Sequence, residues 1–267
     1  MALFRCTFRS TVLEASAEFN VILPDQVTED IPVVLLLHGL SGNQDEWLRY
    51  TSIERYANKF GMAMVMPAAE KSWYCDMKHG AKYYTYITQE LMEYTKKIFP
   101  LSKKREKNFV AGLSMGGYGA LKIALAESDR FAACGAFSGA ADIHARFALG
   151  DRHEQGVAIW GEDYLNVIPG SCDDTYELAR RLEAEGRPKP WIYQSCGTED
   201  KRLHENHLFR DFIQDRGHIK SSFNQFHIPG FDLREVKNII NDCQKAFSRI
   251  LYTPASFSNN ITDFMFS

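Results

Sequence analysis

"NFVAGLSMGGYGALKIAL", residues 108 to 125, sets an apolar run, a serine between two glycines and a helical pattern in immediate succession. The run is continuous rather than alternating, which is how a strand buried on both faces of a parallel sheet reads. Similar runs recur outward from it: "FNVIL" (19 to 23), "PVVLLLH" (32 to 38), "MAMVM" (62 to 66), "FAACGAF" (131 to 137) and "WIYQSC" (191 to 196). Between them lie helical patterns. "SIERYANKF" closes on Gly61, "YYTYITQELMEYTKKIF" stops before Pro100, and "HENHLFRDFIQDRG" sets Leu208, Phe209, Phe212 and Ile213 on one face. Strands alternating with helices predict an α/β fold, with a mostly parallel central sheet and helices on both faces. A single domain is expected, with an insertion at about 142–190, where charge, Gly and Pro become more frequent.

Composition narrows the field. The chain has 267 residues, 45% of them hydrophobic and 24% charged, as in a globular protein with a sizeable core. A net charge of −3 gives no reason to expect nucleic acid or an acidic membrane as partner. No stretch approaches the roughly eighteen apolar residues that cross a bilayer. The opening "MALFRCTFRSTVLEASAEF" alternates apolar residues with charges, unlike a secretion signal. Six dispersed cysteines without a CxxC pair argue against a zinc site or a disulfide framework and fit a reducing cytoplasm. Each cysteine is expected to be a small apolar core residue.

Gly112-Leu113-Ser114-Met115-Gly116 has the form G-x-S-x-G. A serine on a sharp strand-to-helix turn is held in a strained backbone, so the residues two away on either side must lack bulk. The turn lifts the hydroxyl off the sheet at the carboxyl end, where ligands collect in open parallel sheets. It also aims the next amide at a developing oxyanion. The competing reading is a glycine-rich turn with an inert serine. A second oxyanion donor is expected after an earlier strand, and "LLLHGLSGN" supplies Leu40 N–H to pair with Met115 N–H. His38 is expected to brace that loop. The acid and base should follow in chain order. "WIYQSCGTED" ends a strand in a turn carrying Glu199 and Asp200, of which Asp200 is the better acid; it could equally cap the next helix.

Together, "LLLHGLSGNQDEWLRYTSIERYA", "VMPAAEKSWYCDM", "GLSMGGYGALKIAL", "FSGAADI" and "CGTEDKRLHENHLFRDFI" resemble the tributyrin esterase branch of the esterase D family. These are α/β-hydrolase carboxylesterases related to S-formylglutathione hydrolases and to acetyl and feruloyl esterases. The resemblance runs to about Gly217 and implies cofactor-free hydrolysis of short-chain acyl esters through a Ser-Asp-His triad. It makes Ser114 the nucleophile, Asp200 the acid, and Leu40 with Met115 the oxyanion donors. It places Trp73, Tyr74 and Asp76 beside the pocket, with Asn206 in support.

The base departs from the family pattern. There it lies in a Pro-Gly-x-His-x-Trp loop after the last strand, whereas here "FHIPGFDLREVKNIINDC" has Pro229-Gly230 with no histidine following. His204, His207 and His218 read mainly as surface residues. His227 ends the last predicted strand and lies nearest the expected place, but two residues along a strand is about 7 Å, beyond hydrogen-bond reach unless the loop compensates. His227 is therefore either the base or a buried or edge histidine. From about residue 218 the chain is atypical, and its tail "SRILYTPASFSNNITDFMFS" matches no family pattern, as a displaced reading frame near that point would produce.

Other features have bland readings beside sharper ones. Tyr83, Tyr84 and Tyr86 could stack on a substrate ring or pack a helix on the sheet. "LSKKREKN" (101 to 108) reads as a solvated turn rather than an anion site, Trp160 as a pocket wall or a packing residue, and His153 with Glu154 lacks metal-ligand spacing. The expectation is a cytoplasmic serine carboxylesterase acting on a small-molecule ester, without metal or cofactor; an apolar tail would favour a homo-oligomer. The reading from another class is an α/β-hydrolase impaired by a displaced or missing base and acting as a binding or interaction protein.

Overall fold

The computed structural model describes residues 1–26, 29–215 and 219–226. A hairpin opens the chain, β1 (Ala2–Arg9) with β2 (Ser16–Leu23), followed by β3 (Val33–Leu37), α1 (Glu46–Tyr50), α2 (Ile53–Phe60) and β4 (Ala63–Pro67). Next come α3 (Tyr83–Thr85), a π-helical turn (Tyr86–Leu91) and α4 (Met92–Ile98), then β5 (Asn108–Leu113), α5 (Met115–Ala126) and β6 (Ala133–Phe137). Four helices separate β6 from β7: α6 (Ile143–Ala148), α7 (His153–Trp160), α8 (Tyr164–Val167) and α9 (Thr175–Ala184). They occupy the stretch in which the sequence suggests an insertion. Finally β7 (Trp191–Gly197), α10 (Leu203–Asp215) and β8 (Ser221–Phe226) follow.

The eight strands form one sheet in the order β1-β2-β4-β3-β5-β6-β7-β8. The pairs from β4 to β8 are parallel, and β2 joins β4 antiparallel, leaving the hairpin at one edge. Alternation along β3 explains why its run has no polar gaps. Val33, Leu35 and Leu37 enter one core with residues of α5, α9 and α10. Val34 and Leu36 enter a second core with Trp47 of α1 and Ile53 and Ala57 of α2. Helices thus cover both faces, and both cores draw on the same strands.

α5 is the central helix. Every residue from Met115 to Leu125 is buried, in keeping with a helix apolar on nearly all sides. Its one charged residue, Lys122, is discussed below. Gly61 closes α2 in the left-handed conformation at φ +62°, as its place in the sequence suggests.

Three expectations are corrected. β1 was not expected as a strand. It is an edge strand with mostly exposed residues, so its alternation carried only a weak apolar signal. The helical pattern before Pro100 is interrupted by the π-helical turn. Cys75, Cys134 and Cys196 are buried, but Cys6 is only partly so and Cys172 is exposed on the turn between α8 and α9, so the core reading does not hold for those two.

Candidate active site

Ser114 joins β5 to α5 with φ +58° and ψ −112°, a conformation that costs a non-glycine residue about 1–3 kcal/mol. Two backbone bonds hold it there: Ser114 N–H donates to Phe137 O at 2.8 Å, and Tyr118 N–H donates to Ser114 O at 3.1 Å. The flanking glycines are sterically required. A Cβ on Gly112 would lie 2.3 Å from Gly116 O, and one on Gly116 would lie 2.4 Å from Leu37 O. The G-x-S-x-G spacing is therefore a packing requirement of the turn against the end of β3.

The loop after β3 is braced from several directions. His38 is buried, with Nδ1 2.7 Å from Gly39 O and Nε2 accepting from Ala69 N–H at 2.9 Å. That pairing puts the proton on Nδ1, and burial lowers the imidazole pKa, so His38 is a neutral strut with both nitrogens engaged. Tyr74 hydroxyl donates to His38 O at 2.8 Å, Trp47 Nε1 to Leu37 O at 3.1 Å, and Gly39 N–H to Glu46 Oε2 at 2.7 Å. Leu40 N–H follows directly on this turn. Met115 N–H is the first amide of α5 and has no acceptor in its own helix. Neither amide is bonded to an acceptor among the described residues.

Asp200 and Ser114 are linked by a residue that sequence reasoning missed. Arg202 Nε and backbone N–H both donate to Asp200 Oδ1, at 3.0 and 2.9 Å, and Arg202 Nη2 donates to Oδ2 at 2.9 Å. Its third nitrogen, Nη1, donates to Ser114 Oγ at 2.6 Å. Burial pushes the Asp200 carboxyl up, but the guanidinium outweighs it and the pKa is lowered; the Arg202 pKa is raised in turn. Asp200 is thus an ionised carboxylate joined to the Ser114 hydroxyl through one guanidinium. Arg202 can orient and stabilise negative charge, but a guanidinium cannot take the serine proton. A fork two residues after the acid was the available signal, hidden because an arginine at a helix start reads as a surface charge.

Among the described residues, Arg202 is the hydrogen-bond partner of Ser114 Oγ, and no described histidine is hydrogen-bonded to it. His207 Nε2 lies 2.7 Å from Gln225 Nε2, and His153 Nδ1 lies 3.4 Å from the Tyr164 hydroxyl. His218 and His227, with the chain after residue 226, lie outside the described residues.

The residues expected around the pocket have varied surroundings. Trp73 and Tyr74 are buried and adopt φ +53° and +56°. Trp73 Nε1 donates to Gln155 Oε1 at 3.0 Å and its ring packs on Phe147, whereas Tyr74 acts through His38 O. Asp76 is exposed and accepts from Thr85 N–H and Oγ1, at 2.9 and 2.6 Å, fixing the start of the α3 region. Asn206 is fully buried; its Nδ2 donates to Gly139 O and Arg202 O, both at 2.8 Å, and its Oδ1 accepts from Gln194 at 3.2 Å. It ties the acid-bearing turn to the loop after β6. Glu205 was also missed. Its Oε1 is buried without a partner, and burial, with Asp142 and Asp200 nearby, pushes its pKa to about 8.

Lys122, Asp173 and Trp160 form a buried group under the same region. Lys122 Nζ pairs with Asp173 Oδ1 and donates to Tyr74 O at 3.0 Å and Cys75 Sγ at 3.3 Å. Trp160 Nε1 donates to Asp173 Oδ2 at 2.7 Å, so Trp160 is a packing residue. Tyr83 and Tyr86 are core residues, and Tyr84 hydroxyl bonds Glu127 at 2.9 Å. In the basic turn, Lys104 and Lys107 both pair with Asp30 and Arg105 donates to backbone carbonyls. Among the described residues no cluster of His, Cys, Asp or Glu could hold a metal ion.

The chain matches the Esterase family ("Putative esterase") over residues 10–230. It is 31% identical over 235 residues to an acetyl esterase of Caldicellulosiruptor saccharolyticus, covering 81% of this chain and 88% of the relative. Among solved structures it is similar to FphF, a Staphylococcus aureus fluorophosphonate-binding serine hydrolase, in its substrate-bound form. The TM-score is 0.85 at 32% identity, over 94% of this chain and 99% of that one. It is also similar to the apoenzyme of S-formylglutathione hydrolase (FrmB) from Staphylococcus aureus, with TM-score 0.82 at 32% identity, over 94% and 98% of the two chains. The strained serine turn, the braced loop after β3 and the carboxylate after β7 thus sit in an α/β-hydrolase fold, and the protein belongs to this esterase family as a carboxylic ester hydrolase.

Proposed function

We propose that the protein hydrolyses short-chain acyl esters through a triad of Ser114, Asp200 and His227, as in the tributyrin esterase branch it resembles. The observation that carries this reading is the Ser114 turn, whose φ of +58° is held by the chain around it and whose hydroxyl is linked to a carboxylate through one side chain. β8 brings the chain to Phe226, paired with Gly197 at the end of β7, and His227 is the next residue. That end of the sheet also bears Asp200. The acetyl esterase relative supports a short acyl group, and the S-formylglutathione hydrolase likeness supports a thioester substrate as the alternative within the class.

In this mechanism Ser114 Oγ attacks the ester carbonyl carbon while His227 takes its proton. Asp200 stabilises the imidazolium, and the amides of Leu40 and Met115 receive the oxyanion. Collapse expels the alcohol, protonated by His227, and water then releases the acyl group by the same steps. The guanidinium of Arg202 occupies the gap between acid and nucleophile, so an imidazole reaching both must displace Nη1 and Nη2 from them. We further take the chain as one domain in which α6–α9 form the inserted segment. A cytoplasmic location is supported by the free thiols of the described cysteines. No described helix is long and apolar enough to cross a membrane.

The test is hydrolysis of 4-nitrophenyl acetate and butyrate by the protein and by its Ser114→Ala, Asp200→Asn and His227→Ala forms. Loss of Ser114 or of the base should lower kcat by about 10⁴–10⁶-fold. Turnover lost with Ser114 but kept in His227→Ala would remove His227 from the triad. Turnover barely above that of Ser114→Ala would mean that the nucleophile turn persists without a base.

A further inference from the structure

Three arginines from separate elements lie within electrostatic reach of one another, Arg202 among them donating to Ser114 Oγ, and one of the three has no hydrogen-bonding counter-ion. Arg202 is engaged by Asp200, and Arg146 of α6 forks onto Asp151 at 2.7 and 2.9 Å. Arg152, immediately before α7, makes no hydrogen bond to a carboxylate among the described residues. Its Nε is buried and unpartnered, and its guanidinium lies over the Trp73 indole, 5.9 Å from the ring centroid. Burial disfavours its charge, and Arg146 and Arg202 both add to that; only Asp151, already forked by Arg146, opposes them. Arg146 and Arg202 each have a carboxylate, whereas the Arg152 guanidinium lacks one among the described residues, and an anion meeting its outer nitrogens would supply that counter-charge. The planar fork of a guanidinium suits a carboxylate, and the indole beneath it holds the plane in place. Glu205 does not oppose an anion at neutral pH, because burial keeps it largely protonated.

We propose that Arg152 receives a carboxylate carried by the substrate, so that the preferred esters are anionic. The inference rests on the serine-esterase reading and adds to it the chemical class of the substrate. The carboxylate can sit on the acyl side, as in a half-ester of a dicarboxylic acid, or on the alcohol side, as in an acylated hydroxy acid.

Binding to the Ser114→Ala form, followed by isothermal titration calorimetry, separates the charge preference from turnover. Monomethyl glutarate presents the carboxylate on the acyl side and acetoxyacetate presents it on the alcohol side; methyl butyrate and methyl acetate are their neutral references. At least one anion should bind about tenfold or more tighter than its reference, as expected for a charge-assisted contact. The preference should shrink as salt is raised, vanish in Arg152→Leu and survive in part in Arg152→Lys, which keeps the charge but not the fork. Equal binding of charged and neutral esters would overturn the proposal, as would a preference that persists in Arg152→Leu. The Arg152→Lys form and the salt series decide the matter if Arg152→Leu does not fold. Parallel turnover of 4-nitrophenyl acetate by the Ser114 form keeps the two readings apart. Absent turnover strikes the esterase mechanism, while the binding ratio alone decides the anion.

Discussion

Replacing Lys122 by methionine should destabilise the protein by about 3–5 kcal/mol, the cost of leaving one member of a buried ion pair alone. The magnitude follows from the surroundings. Lys122 and Asp173 expose only 3% and 11% of their side chains, and the ammonium spends its three N–H groups on Asp173, Tyr74 O and Cys75 Sγ. Its Nζ also sits 4.6 Å from the Tyr84 ring centroid. Methionine keeps the length of the stem and removes every polar contact. In a domain of this size the loss corresponds to a fall in Tm of about 6–15 °C. The effect must also depend on pH. Burial pushes the Asp173 carboxyl up and Lys122 more than reverses it, so the native pKa is depressed. A depressed pKa contributes stability that is present above the unfolded carboxylate value and is lost as pH falls through the folded one. Without the lysine, burial, the largest influence on Asp173, is opposed only by the hydrogen bonds from Trp160 and Cys75, and the folded protein holds the carboxyl proton more tightly than it does with the lysine present. The gap between the two proteins should therefore narrow as pH falls from 7 toward 4. Urea titrations across that range measure it. A Lys122→Met cost below about 1 kcal/mol, or one that does not change with pH, would refute the reasoning. Adding Asp173→Leu should recover part of the loss but not all of it, because Trp160 Nε1 then loses its acceptor at a cost of about 1–3 kcal/mol.

Two further outcomes follow from the serine turn and the acid. Gly116→Ala should abolish ester hydrolysis and lower the denaturation midpoint, since its Cβ would meet Leu37 O at 2.4 Å; an active Gly116→Ala protein of unchanged Tm would contradict the packing account. Arg202→Met should cost about 2 kcal/mol at pH 7, from charge-assisted bonds to Asp200, and less near pH 3, because the depressed Asp200 pKa holds that stability only above the unfolded carboxylate range. Denaturant midpoints for both proteins at the two pH values check the sign, and a gap that widens on acidification would reverse it.

The parts of the molecule legible in the sequence are those governed by local rules. The apolar runs of β3, β5 and β7 announce strands because both of their faces are covered, and Gly112 and Gly116 announce the turn because backbone touches backbone there. Asp200 stands out in the sequence because it follows Ser114 in chain order on the turn that ends a strand. Long-range partnerships were illegible. Nothing near Arg202 in sequence shows that its guanidinium reaches Ser114, which lies 88 positions earlier. Lys122 sits inside an apolar helix, where a lone lysine reads as a solvated face, and its carboxylate arrives from the turn between α8 and α9. Tyr74 reads as a pocket residue, and only the fold turns its hydroxyl toward His38 O. The edge strand β1 was missed because exposure leaves strand residues free to be polar.

The sheet order also has a consequence for how activity arises during synthesis. β5 pairs with β3 across the whole segment that contains α1 to α4, and β7 joins β6 only after α6 to α9 have been made. Such non-local pairings close long loops before any contact rewards them, and they form slowly. The braced loop at 39–40, the serine turn at 114 and the carboxylate at 200 come from three such segments. An emerging chain therefore carries Ser114 through the synthesis of the long segment up to β8 before the other groups are in place. Hydrolytic capacity should appear abruptly once β7, α10 and β8 have docked, which makes enzyme activity a reporter of complete sheet closure rather than of partial folding.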